Sequence, residues 1–345
     1  MPTTNRSLTR RHFAAAGVAA ASVVALGTPA IQVAAQELTP VTLALDWYPN
    51  ANHAGIFMAQ ERGYFTEAGL DVTISVPSDP TTVLQTVGAG RDTFGISYQS
   101  EVLFAREQEI PIVSVAALVQ HPLNSLMVLA DSEIETPADL AGKTIANSGL
   151  PADEAFITTI LAEVGLTLDD VTMVNVGYDL MPAVLSERAD AVIGVYWTHE
   201  TILAEREGSP VRYFRVEEWG VPDYYELVLV SGESTIASQP EMVSAMLGAL
   251  QRGYEDAIAD PETAIDLLVA ESPDLLPDVE LEGLELLIPL WTDDGTIPFG
   301  LQTADRWNSY GDWLKAQGLL GDDVDVAGAW NGELLPGTEA ATPAP

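Results

Sequence analysis

The chain has 345 residues, 47% of them hydrophobic, and sets 51 acidic side chains against 14 basic ones, for a formal net charge of −37. A surface so acidic repels phosphate backbones and anionic membranes, which excludes nucleic acid as a partner. The absence of cysteine excludes disulfides, thiolate metal sites and thiol nucleophiles, and His12, His53, His121 and His199 show no metal-ligand spacing, so neither metal nor cofactor is expected.

Residues 1–35 hold Arg6, Arg10 and Arg11 but no acid, then a small-residue apolar stretch from Phe13 to Leu26, then the small-x-small run Val33-Ala34-Ala35. That order reads as a signal peptide, and Thr9-Arg10-Arg11-His12-Phe13 resembles the twin-arginine export motif, with Thr for the usual Ser. About 14 apolar residues are short of the roughly 20 that a spanning helix needs. Export to the periplasm, or to the outer face of the cytoplasmic membrane, is the expectation.

The remaining length exceeds one ordinary core, and two domains are expected. Val41–Leu45 reads as a strand, His53–Glu67 as a helix ended by Gly69, and Leu70–Val76 as a second strand. A helix over Pro80–Ala89, a strand over Asp92–Tyr98, a helix over Ser100–Gln108 and a strand over Ile112–Leu118 continue the alternation, which predicts a mostly parallel sheet. A second alternation follows Asn124. It comprises Leu126–Leu129, the capped turn Thr136–Leu140, strands over Thr144–Ala146, Val171–Val176 and Ala191–Val195, and helices over Ala152–Val164 and Met181–Glu187. The run Tyr224–Val230 carries the chain out again. Beyond Pro240 the pattern is mainly helical, over Met242–Ile258, Pro261–Ala270 and Ala304–Ala316. In the last of these Trp307, Tyr310 and Trp313 fall three apart and read as a face packed on the first domain. The expected boundaries are therefore a signal peptide over 1–35, a discontinuous first lobe over 36–127 and 230–336, a second lobe over 128–229, and a disordered tail over 337–345.

Three clusters of aromatic and polar residues each follow a predicted buried strand: Asp46 to His53, Ser97 to Glu101, and Tyr196 to Glu200. In open α/β sheets the carboxyl ends of strands converge on ligands, so the clusters read as one pocket. Trp47, Tyr98, Tyr196 and Trp197 would supply ring faces, and Asn50, Gln99 and Asn124 amide donors and acceptors, a set suited to a flat heteroaromatic ring. His53 fits either the pocket or a cap on the helix after it. Glu200, four residues from Tyr196, could accept paired hydrogen bonds from an amine and an adjacent ring nitrogen, as an aminopyrimidine offers, or could stabilise a helix dipole. For Asp153 and Glu154, helix capping is the simpler role.

The chain resembles a known family, the solute-binding proteins of ABC importers in the group shared with the thiamine-pyrimidine synthases, and most closely the formylaminopyrimidine-binding members. The carriers are Leu45-Asp46-Trp47-Tyr48-Pro49-Asn50, His53-Ala54-Gly55, Gly63-Tyr64-Phe65, Gly95-Ile96-Ser97-Tyr98-Gln99, Gln120-His121-Pro122-Leu123-Asn124-Ser125, Asp190 to Trp197, and Gly220-Val221-Pro222-Asp223-Tyr224-Tyr225. The resemblance implies an α/β, periplasmic-binding-protein-like fold of type II. Its two lobes would be joined by a two-strand hinge and close on a pyrimidine stacked on aromatic side chains, with the acid at Glu200 pairing its amine side. It also implies a monomer that works with an ABC permease and its ATPase. The related synthases use a lysine-bound pyridoxal phosphate and a cysteine-rich motif. Here the only lysines, Lys143 and Lys315, stand outside the clusters, so an enzyme is not expected. No Arg stands in the clusters either, which disfavours a simple anion as cargo. A larger flat ring such as riboflavin would use the same faces.

Overall fold

A computed structural model describes residues 37–337. The expected signal peptide over 1–35 and all but the first residue of the expected tail over 337–345 lie outside these residues. Ten strands are described: β1 (Thr39–Ala44), β2 (Leu70–Ser75), β3 (Phe94–Ser97), β4 (Ile112–Val119), β5 (Asn124–Leu129), β6 (Thr144–Asn147), β7 (Thr172–Asn175), β8 (Ala191–Tyr196), β9 (Val211–Arg215) and β10 (Leu227–Gly232). They form two sheets, ordered β2-β1-β3-β10-β4 and β7-β6-β8-β5-β9.

In each sheet four strands run one way and one runs against them. The exception is β10 in the first sheet, antiparallel to β3 and β4, and β5 in the second, antiparallel to β8 and β9. Each is the first strand laid down after the chain changes sheet. The chain crosses at residues 120–123 and returns at 216–226, between strands of different sheets. The run Leu126–Leu129 thus belongs to the second sheet, and both crossings fall ahead of the boundaries expected at 127/128 and 229/230. Pairing decides this, because Asn124 to Leu129 finds its hydrogen-bond partners on β8 and β9.

Every residue of β4, Ile-Val-Ser-Val-Ala-Ala-Leu-Val, is buried, as a continuous apolar run requires. The strand is last in its sheet, yet single bridges to Gly300 and Trp330 cover its outer edge. The helix expected over 53–67 is broken. A three-residue turn, Ala51–His53, leads into Ala54–Glu61, and a left-handed Gly63 separates that helix from Tyr64–Glu67. The unforeseen β9 has no apolar run to betray it, being Val-Arg-Tyr-Phe-Arg at a sheet edge. Helix Pro277–Thr292 likewise had no expected bounds within the mainly helical C-terminal region.

Trp291, Trp307, Tyr224, Tyr225, Tyr254 and Tyr310 are among the largest fully buried side chains. Each contributes roughly 1.5–3 kcal/mol or more through the apolar area removed from water. The stripe on helix Ala304–Ala316, expected to face the first domain, meets the return crossing: Tyr310 lies 5.0 Å from the Tyr224 ring there, and Tyr224 stacks at 5.4 Å on Phe156 of helix Pro151–Glu163. This ladder of three rings braces the return crossing from both sides.

Candidate ligand-binding site

Strand direction gathers the site. The parallel strands β1, β3, β6 and β8 end at one edge of their sheets, and the two opposed strands, β5 and β10, begin at that same edge. Residues after β1 (Asp46, Trp47, Asn50), after β3 (Tyr98, Ser100) and after β6 (Ser148, Asp153, Phe156) therefore meet those at the end of β8 (Gly194, Tyr196, Glu200). Asn124 at the start of β5 and Glu226 just before β10 complete one narrow cavity of about 30 Å³. Four carboxylates and four aromatic rings line it, with no Lys or Arg among them.

Of the nine residues expected at a pocket, Trp47, Asn50, Tyr98, Asn124, Tyr196 and Glu200 lie on this cavity. His53, Gln99 and Trp197 stand behind it. His53 is buried, and its Nδ1 accepts from the Asn50 backbone N–H (3.2 Å), which leaves Nε2 to donate to Asp46 Oδ1 (2.9 Å). The second Asp46 oxygen accepts from the Tyr98 hydroxyl at 3.0 Å. His53 thus closes a capping box with Asn50 and orients an acid that does face the cavity. Gln99 Oε1 accepts from Tyr225 N–H (2.7 Å), tying the end of β3 to the return crossing. Trp197 Nε1 donates to Pro122 O (3.2 Å), and the Arg215 guanidinium sits 4.3 Å from its ring centroid.

The amide of Asn50 is largely spent on its own turn: Oδ1 accepts from Asn52 N and Nδ2 (3.0 Å each), and Nδ2 donates to Tyr48 O (3.2 Å). Asn124 Oδ1 accepts from Gly194 N–H (3.2 Å), leaving its NH₂ for the cavity. Glu200 opens helix Glu200–Arg206, and its Oε2 accepts from Tyr196 N–H at 2.8 Å. Among the described residues no hydrogen bond reaches its Oε1, and Glu200 lines the cavity while its other oxygen holds the turn.

Three further acids were missed or discounted by sequence reasoning. Asp46 belongs to a cluster that was singled out for its neighbours. Asp153 accepts from Ser148 N–H (2.9 Å) and Oγ (2.6 Å). Burial pushes its carboxyl up to about 6 against the restraint of those bonds. Glu226 is raised to about 7 by burial, although Leu123 N–H, the Tyr224 hydroxyl and Asn124 N–H all favour its charged form. Glu154, by contrast, is exposed. Gly194 lines the cavity at φ +99°, and a Cβ there would stand 3.2 Å from Asp153 Oδ1. This position needs glycine for both conformation and space.

Across the mouth, Tyr178 follows β7 and lies over Trp47 and Tyr48 with ring centroids 4.4 and 4.7 Å away. Its hydroxyl donates to Pro77 O (3.0 Å), a carbonyl that follows β2 of the other sheet. Helix Gln99–Glu107 makes a second link, Glu101 Oε1 accepting from Ala152 N–H at 3.0 Å. Lys143 and Lys315 do not line the cavity, and Lys315 donates to the carbonyls of Asp322 and Val324.

Comparison with known proteins agrees with this architecture. The chain is 37% identical over 300 residues to the formylaminopyrimidine-binding protein of Halalkalibacterium halodurans, covering 86% of this chain and 91% of the relative. It is 27% identical to a 4-amino-5-hydroxymethyl-2-methylpyrimidine phosphate synthase of Legionella pneumophila, covering 86% and 93%. The alkanesulfonate-binding protein SsuA of Xanthomonas axonopodis pv. citri, solved with MOPS, has the same fold, with a TM-score of 0.69 at 20% identity over 86% of this chain and 99% of that one. Residues 50–264 match the family described as NMT1/THI5 like, and the chain belongs to that family.

Proposed function

We propose that the protein is the extracytoplasmic solute-binding component of an ABC importer and that its cargo is an aminopyrimidine precursor of thiamine. The observation that carries this reading is the cavity lining, with carboxylates and ring faces and no basic side chain. Rings stack on Trp47, Tyr98 and Tyr196, and the open oxygen of Glu200 accepts from an exocyclic amine or a protonated ring nitrogen. An anionic cargo would meet four acids and no countercharge. The relative named for binding formylaminopyrimidine supports the same class of cargo.

No bond is made or broken in this reading. A lysine-linked cofactor chemistry has no lysine on the cavity to work with, and the chain has no cysteine. A cavity of about 30 Å³ has room for little more than water in this conformation, so any ligand, pyrimidine or flavin, enters by the lobes opening. We infer that the lobes move about the crossings at 120–123 and 216–226, that Tyr178 to Pro77 and Glu101 to Ala152 are contacts of the closed form, and that the closed form docks on a permease outside the membrane. The expected export signal agrees with that location.

The test is a thermal-shift and calorimetric screen of the purified protein against aminopyrimidines, thiamine and riboflavin. Stabilisation by an aminopyrimidine with no turnover is the expected result. Preference for riboflavin, or consumption of the pyrimidine, would overturn the reading.

A further inference from the structure

The two crossings rest on one bed of chain, which runs from the end of helix Pro277–Thr292 to the start of helix Ala304–Ala316. Where the chain leaves the first sheet, Gln120 N–H donates to Leu290 O (2.8 Å), its side-chain amide donates to Leu301 O (3.1 Å), and Arg306 donates to Gln120 O. Where it returns, Arg306 Nη2 meets Asp223 Oδ2 at 2.9 Å, and the Tyr225 hydroxyl accepts from Thr303 N–H at 2.9 Å.

His121 closes this arrangement. Its Nδ1 stands 2.9 Å from Asp223 Oδ1 on the other crossing, and its Nε2 stands 2.5 Å from Asp293 Oδ1 on the bed. Carboxylates only accept, so an imidazole held between two of them carries a proton on each nitrogen and is a cation. Asp223, Asp293 and Arg306 face the ring from the return crossing, the end of helix Pro277–Thr292 and helix Ala304–Ala316. The hydrogen bond to Asp223 leads in raising the His121 pKa above the ordinary 6.5, and Asp293 adds to it, while partial burial and the Arg306 charge oppose the rise. A neutral ring has one N–H. Once the proton is lost, one of the two acids faces a lone pair, and either the tie between the crossings or the tie to the bed is cut.

We infer that His121 is a proton-sensitive clasp on the hinge: as an imidazolium it holds the two crossings to each other and to the bed in the closed arrangement, and on losing its proton it frees them, so that ligand is held less tightly as the pH rises. The inference rests on the proposal that the lobes move about these crossings, and it holds for any cargo. The clasp is complete below pH 6.5 and is lost as the pH rises through the raised value. Because coupling is reciprocal, closing on ligand must in turn tighten the proton on His121.

Two measurements on the whole protein test it. In proton NMR of the histidine rings, the His121 signal is the one that His121→Gln lacks. Its pKa should rise by about half a unit or more, a roughly threefold coupling, when 4-amino-5-hydroxymethyl-2-methylpyrimidine is bound. An unchanged value would overturn the inference, since a merely structural imidazolium titrates alike in open and closed protein. The second measurement needs no ligand: one exposed cysteine introduced into each lobe of a chain that has none takes a spin label, and the pair reports the distance between lobes. Between about pH 6 and about pH 9 the short-distance population should fall in the wild type by more than in His121→Gln. Equal responses, or none in the wild type, would overturn the clasp. If His121→Gln does not fold, Asp293→Asn replaces it. With one acid gone the proton is held less firmly, so the opening should move to lower pH, and an opening that stays in place overturns the inference. Failure of the pyrimidine to bind counts against the proposed cargo alone, and the distance measurement then decides the clasp.

Discussion

Replacing Glu101 by glutamine isolates the energetic consequence of one buried acid. Glu101 lies in the first turn of helix Gln99–Glu107, where a helix dipole would ordinarily favour its charge, and its Oε1 accepts from Ala152 N–H. Burial wins and pushes the carboxyl from 4.5 to about 8, with the Ala152 N–H opposing and the charge of Asp153 adding to the rise. The unfolded chain loses this proton near pH 4.5, whereas the folded chain keeps it to about pH 8, so the folded state binds the extra proton between those values. Stability from the group is full below pH 4.5 and falls by about 1.4 kcal/mol per pH unit above it. By about pH 8 some 4–5 kcal/mol is lost. Glutamine is neutral throughout and retains the acceptor for Ala152. Urea titrations followed by tryptophan fluorescence should find wild type and Glu101→Gln alike near pH 4, with the variant more stable by ~4 kcal/mol near pH 8. A stability difference that does not change with pH would refute the reasoning, because it would mean that the carboxyl ionises alike in both states.

Glu200→Gln keeps an oxygen for Tyr196 N–H but removes the charge, and should weaken aminopyrimidine binding by about 1–3 kcal/mol in calorimetry; unchanged affinity would end the assignment of Glu200. Tyr178→Phe deletes only the hydrogen bond to Pro77 O between lobes, worth about 0.5–1.5 kcal/mol, so stopped-flow release of ligand should quicken by roughly two- to tenfold with association little changed. Gly194→Ala forces a side chain into a left-handed conformation beside Asp153, and should cost at least about 1 kcal/mol of stability in denaturant titration and weaken ligand binding too. A variant as stable as the wild type would show that the glycine is dispensable.

Strand ends were the legible part of the site. Apolar runs announced β1, β3 and β8, and the residues after them, Trp47, Asn50, Tyr98, Tyr196 and Glu200, do reach one cavity. His53, Gln99 and Trp197 share the same clusters, but residue type and spacing do not say which side of a turn faces inward. Glu226 was hidden for a different reason. It precedes β10, a strand laid against its neighbours, so it arrives at the ligand edge from a strand's beginning rather than its end. Its acid was also one among 51, nearly all explicable as surface solvation. Asp153 looked like a helix cap, and only the fold shows it buried beneath Ser148 and Gly194. The sheet crossings were displaced because an apolar run such as Leu126–Leu129 does not declare which sheet will pair it.

The four cavity carboxylates also set what the protein must refuse. Once a pyrimidine alcohol is esterified with phosphate it carries up to two negative charges, and in a closed space lined by Asp46, Asp153, Glu200 and Glu226 it meets acids and no cation to offset it. The same lining that accepts the pyrimidine alcohol therefore turns away its phosphate ester, so the cavity sorts two compounds that share one ring by a single esterified oxygen.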